Sequence, residues 1–125
     1  MAFNFPYIER GEENSSGPEL IEETRALQSL LNFCNSDKYE SIRLIGKSLG
    51  DVVAGHYLKI VDKNLLGKSS LVIFGYDTGY IDIKEFSGKI VIVQGSKNKF
   101  GDIEAVKKDM NGAVSNDILS GLMFW

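Results

Sequence analysis

The sequence predicts an α/β domain, a partial sheet of mostly parallel strands with helices on both faces. Three observations lead there. Stretches of strand-like and helix-like apolar spacing alternate along the chain. Two of the strand-like runs, "SLVIFG" and "KIVIVQG", are apolar on both sides of the pleat, as in parallel strands covered on both faces. The chain has 125 residues and is 43% hydrophobic, which suits one modest folded domain over residues 1–125 rather than a disordered chain.

Taken in order, "AFNFPYI" reads as a short apolar strand that Pro6 ends, followed by the polar loop "ERGEENSSG". "SGPE" is a helix start, with Ser16 as N-cap, Pro18 in the first turn and Glu19 closing a capping box. Leu20, Thr24, Leu27, Leu31 and Cys34 recur at spacings of three and four, so this helix buries one face, the Cys34 thiol included. "SIRLIG" is a compact strand rich in branched residues that Gly46 terminates. From Leu49 to about Val61 the apolar set Val52, Val53, Tyr57, Ile60 and Val61 gives a helix packed on the sheet, and "KNLLGKSS" gives a loop.

"SLVIFG" and "KIVIVQG" are the next strands. The "YDTGYIDIKEFSG" between them lacks helical periodicity and reads as a solvated connector that contains Gly79, Tyr80 and Asp82. Ile103, Val106 and Met110 mark a short amphipathic helix with Asp102 as its N-cap. This alternation leads to parallel neighbours joined by right-handed crossovers. The last stretch ends in Leu122, Met123, Phe124 and Trp125, large apolar groups where a terminus is ordinarily polar.

Composition narrows the function classes. Against 17 acidic residues stand 14 Lys and Arg, a net charge of −3, with no basic stretch to hold a phosphate backbone, so no nucleic-acid partner is expected. No apolar run approaches 18 residues and no leader-like start is present, which leads to the expectation of a soluble, cytoplasmic chain with no membrane partner. The single cysteine rules out an internal disulfide. No metal or other cofactor is expected. "GKS" occurs at Gly46 and again at Gly67, but a phosphate-binding loop needs a further glycine five residues earlier, where Ser41 and Asp62 stand.

"GKSLG" is a Gly-x-Ser-x-Gly pentad set between a strand and a helix. That is where a nucleophile elbow needs its glycines: a sharp, strained turn lifts the Ser48 hydroxyl above the sheet and leaves no room for side chains at Gly46 and Gly50. The free amides and positive dipole end of the following helix face the serine, and the Leu49 amide is the natural oxyanion donor. The plainer alternative is a tight turn whose serine merely caps that helix.

With "FNFPYIERG", "IRLIGKSLG", "LVIFGYD" and "KIVIVQGSKNKFGDIEAVKKDM", most of the chain resembles the α/β-hydrolases of the dienelactone-hydrolase-like branch. The likeness is to the hydrolase-like domain shared by an NSL histone-acetyltransferase subunit and small testis-expressed homologues. The resemblance implies a nucleophile at Ser48 and an acid in the loop after "KIVIVQG". There the residue in the acid's place is Asn98, which carries no negative charge, and Asp102 is a candidate substitute acid. It also implies a histidine after a further strand, and the chain is expected to end before that strand is complete.

His56 is the only histidine, eight residues past Ser48 on one helix and so about 12 Å along its axis, beyond proton-transfer reach. The resemblance further places the family's first strands before Met1, so residues 1–125 read as an incomplete domain truncated at both ends. Two functions follow as expectations. One is a serine hydrolase acting on a small-molecule ester-like substrate, inactive as this chain. The other is a non-catalytic module that associates, with itself included, through open sheet edges and the apolar tail Leu119–Trp125.

Overall fold

Branched and aliphatic residues line up in four strands, β1 (Ile42–Lys47), β2 (Ser69–Phe74), β3 (Ile90–Gly95) and β4 (Asn116–Gly121). They hydrogen-bond in that order and all run parallel. The computed structural model describes residues 1–76, 86, 88–95, 99, 102–109 and 116–121. Within them lie the helices α1 (Pro6–Glu9), α2 (Ile21–Phe33), α3 (Leu49–Ile60), α4 (Lys63–Gly67) and α5 (Ile103–Asp109). The chain is an α/β fold with a parallel sheet, as its pattern predicts.

Register sets which residues share a face. Leu44 lies beside Leu71 and Leu71 beside Ile90, so Leu44, Leu71, Ile73, Ile90 and Ile92 point the same way. Ala54 and Leu58 of α3 and Val106 of α5 close over them, and Leu71, Ile73, Ile90, Ile92 and Val106 lose all solvent contact. Each such side chain contributes about 1.5–3 kcal/mol by burial. A second cluster joins Leu20, Leu27 and Leu31 to Val53 and Tyr57 of α3 and to Leu65.

The described helices that pack on the sheet therefore share one face. On the other, Val72, Phe74, Val91 and Val93 are half-buried and Ile45 is 66% exposed. A double covering was expected from the apolar strands. Crossovers of one hand that always step the same way across a sheet put every helix on the same side, and the order β1-β2-β3-β4 never reverses.

Several local expectations are corrected. Residues 1–5 are not a strand, and Pro6 begins α1 instead of ending a strand, because its fixed φ and missing N–H suit the first helical position. Ser16 does not pair with Glu19. Its N–H donates to the Glu23 carboxylate at 2.9 Å, its hydroxyl donates to the other Glu23 oxygen, and the Glu22 N–H donates back to that hydroxyl at 3.3 Å. Leu20, left-handed at φ 49, turns the chain into α2 between them, so the reciprocal cap spans seven residues instead of three.

Thr24, Leu27 and Leu31 are buried as expected, but Cys34 caps the end of α2 only half-buried, its Sγ 3.7 Å from Met1 Sδ. "KNLLG" is α4, because Asp62 accepts the Leu65 N–H at 2.9 Å as an N-cap that the loop reading overlooked. A strand is also complete at Asn116–Gly121, paired with β3 through all six residues. Ile118 and Leu119 alone give a weak local signal, and pairing decides where propensity does not. Of "YDTGYIDIKEFSG" only Tyr76, Phe86 and Gly88 are among the described residues, and the tail Leu122–Trp125 lies outside them.

Candidate functional site

Ser48 is the single residue between the end of β1 and the start of α3. Its backbone stands at φ 55, ψ −125, a conformation that costs a non-glycine residue about 1–3 kcal/mol. Asp51 closes the turn by donating its N–H to the Ser48 carbonyl at 3.0 Å. The serine is exposed and its hydroxyl makes no cap bond to α3. Asp62 and Asp102 behave differently: both accept a helix N–H, Asp102 that of Ala105 at 2.9 Å. The strained turn thus presents a hydroxyl that the helix does not use.

The two pentad glycines play unequal parts. A Cβ at Gly46 would lie 2.5 Å from Asp51 Oδ1, 2.6 Å from Asp51 N and 2.7 Å from the Gly50 carbonyl carbon, so only a bare Cα lets α3 start this close to β1. Around Gly50 nothing lies within 4 Å of a built Cβ, which corrects the expectation that this position has no room. It sits on the outside of the first turn of α3, where the elbow makes no steric demand.

Leu49 is the first residue of α3, so its N–H lies outside the helix's own ladder and is placed beside Ser48. Asp51 is fully buried in the same turn, its Oδ1 directly under Gly46. Its carboxyl sits in the turn where the amides of α3 begin, a feature legible in the sequence only as an acid one residue past the pentad. His56 lies two turns further along α3, half-buried, so the geometry that separates it from Ser48 stands. Asn98 lies outside the described residues, and exposed Asp102 uses a carboxylate oxygen to cap α5.

A groove of about 780 Å³ opens beside Ser48. One wall is β1, another the buried side of α2 at Leu27, Leu31 and Cys34, and the third the N-terminal residues Met1–Phe5. Nothing in the apolar spacing of "AFNFPYI" distinguished a groove wall from a strand. The second Gly-Lys-Ser is consumed by structure: Lys68 Nζ donates to the carbonyls of Ser36, Asp37 and Tyr39 at 2.9–3.1 Å, and the buried Ser69 hydroxyl donates to Leu65 O at 2.6 Å. At the carboxyl end of β3, buried Gln94 accepts the Tyr76 N–H at 2.7 Å and donates to the Tyr76 carbonyl at 3.2 Å, pinning the chain as it leaves β2.

Among the described residues no three His, Cys, Asp or Glu side chains gather as metal ligands, and no helix is long and apolar enough to cross a membrane. The fold and the site define a parallel α/β domain with an exposed serine on a strained strand-to-helix turn. No family model, characterised protein or solved structure matches the chain.

Proposed function

We propose that the chain carries the nucleophile half of an α/β-hydrolase-type serine hydrolase, with Ser48 as the attacking group and an ester-like acyl compound as its substrate class. The observation that carries this reading is the backbone of Ser48, φ 55 and ψ −125 between β1 and α3, with a hydroxyl spent on no helix cap. In the reaction the Ser48 oxygen attacks the acyl carbon and its proton passes to an imidazole. The tetrahedral oxyanion takes a hydrogen bond from the Leu49 N–H, and collapse expels the alcohol, which takes up the proton. Water then releases the acid from the serine by the same steps.

The chain's one imidazole, on His56, is held two turns away on α3, so Ser48 by itself is a weak nucleophile. Loss of a triad partner lowers rate by about 10⁴. A reducing, cytoplasmic setting belongs to the same proposal, since Cys34 has no second cysteine to pair with.

A fluorophosphonate probe tests the reading. Labelling of the chain alone is expected to be slow, to rise when free imidazole is added, and to vanish in Ser48→Ala under both conditions. Rapid labelling without imidazole, lost in Ser48→Ala, would show that a base is already in place. Rescue that persists in Ser48→Ala would remove Ser48 from the chemistry.

A further inference from the structure

Among the described residues, the outer edge of β1 has backbone groups with no strand beside them. In a parallel pair, successive residues turn their N–H and C=O alternately to the two sides. The Ile42 N–H donates to the Lys68 carbonyl at 2.9 Å, so residues 42, 44 and 46 bond toward β2, and Arg43 and Ile45 turn theirs to the opposite edge. That edge forms one wall of the 780 Å³ groove, and Met1–Phe5 form the facing wall. Among the described residues no backbone hydrogen bond crosses from Arg43 or Ile45 to that wall.

We propose that this groove takes an extended segment of a partner protein, which adds itself to β1 as a strand through Arg43 and Ile45 and places an acidic side chain beside Arg43. The chemistry of the edge chooses the occupant. Donors and acceptors recurring every second residue are met by another main chain, whereas an acyl chain or a lipid would leave them unpaired. The neighbouring walls choose the side chains. Leu27, Leu31 and Val53 line the helix side of the groove, so every second residue of the segment is apolar. The others lie on the open face with the guanidinium of Arg43, which is exposed and forms no ion pair among the described residues.

A second copy of this chain fits less well. Symmetric pairing of two β1 strands about Ile45 sets Arg43 of each copy opposite Lys47 of the other, and like charges facing across strands oppose pairing. An acidic strand replaces that repulsion with attraction. This inference uses backbone groups and Arg43 and is independent of the chemistry proposed for Ser48.

The test is a titration of the full chain with a fluorescein-labelled hexapeptide of alternating valine and glutamate, read by polarisation. Two further versions are N-methylated on one or the other alternate set of amides, and a third carries lysine in place of glutamate. Saturable binding is expected. One methylated set and not the other weakens it about tenfold, since methylation removes the bonds to the β1 edge. The lysine peptide binds more weakly than the glutamate one, and Arg43→Glu inverts that order.

Exchange of the Arg43 and Ile45 amides is expected to slow about tenfold on binding, the size of a lost open edge. No saturable binding at millimolar peptide, or equal weakening by both methylated sets, overturns the proposal. So does protection of those two amides in the free chain, because the edge would then already be filled by the chain's own residues.

Discussion

A methyl group at Gly46 is the sharpest test of the elbow. The Cβ of Gly46→Ala would stand 2.6 Å from Asp51 N and 2.7 Å from the Gly50 carbonyl carbon, where ordinary contact begins at 3.4 Å. Both are backbone atoms in the first turn of α3, so no side-chain rotation relieves them, and the start of the helix must retreat by about 0.7–0.8 Å. It is not free to do so, because Val53, Ala54 and Tyr57 of that helix are buried in the core. Overpacking of this kind costs about 1–3 kcal/mol, and a backbone clash against a packed helix belongs at the upper end.

Total stability of such a domain is about 5–15 kcal/mol. With a urea dependence of about 2 kcal/mol per molar, the midpoint of Gly46→Ala falls by about 1–1.5 M. Gly50→Ala is the internal control: its methyl enters open space in a helical turn and raises stability by about 0.5–1 kcal/mol. Two glycines of one pentad thus move the midpoint in opposite directions. Adding Asp51→Gly to Gly46→Ala restores little, since the backbone contacts remain. A Gly46→Ala midpoint at or above the wild type, by circular dichroism in urea, would refute the reasoning.

Ser48→Gly is expected to stabilise the fold by about 1–2 kcal/mol in the same assay, because glycine adopts φ 55, ψ −125 without penalty; an unchanged or lower midpoint would mean the serine is not strained. Burial pushes the Glu23 carboxyl up, but the Ser16 hydroxyl and N–H outweigh it and hold it below the usual 4.5. A lowered native pKa contributes stability that is complete above the unfolded value and is lost as pH falls through the native one. The urea-midpoint advantage of wild type over Glu23→Gln, full at neutral pH, should therefore shrink as pH drops below 4.5; a constant gap down to about pH 3 would sink that account.

What the sequence revealed tracks how local the cause is. β1, α3, β2 and β3 carry their own apolar period, and the N-cap at Asp102 is a contact between residues three apart, so all were legible. The Ser16 cap failed by register, because the left-handed turn at Leu20 that lengthens it is a tertiary choice with no propensity behind it. α4 was hidden by Gly67 and the two serines after it, although Asp62 was present as a capping signal. The tight strand-to-helix turn was legible from two glycines, but a pentad cannot say which glycine is crowded. That depends on where the backbone of Asp51 comes to rest against β1. The groove had no signature at all, since it arises where residues 1–5 do not pair with the strand beside them.

The winding of the sheet explains why the serine and the groove coincide. In open parallel sheets a ligand crevice forms at the carboxyl ends of strands where the strand order reverses and successive helices part to opposite faces. Among the described strands the order β1-β2-β3-β4 has no reversal, and α3 and α5 stay on one face, so no such crevice opens between neighbours. Among the described residues a groove lies where the run stops, at the outer edge of β1. The carboxyl end of that same strand is where Gly46 lets α3 begin close enough to force Ser48 into its strained turn. The hydroxyl and the main-chain groups of Arg43 and Ile45, unpaired among the described residues, are therefore two consequences of one placement. A ligand that reaches the serine must pass along, or displace, whatever occupies that edge.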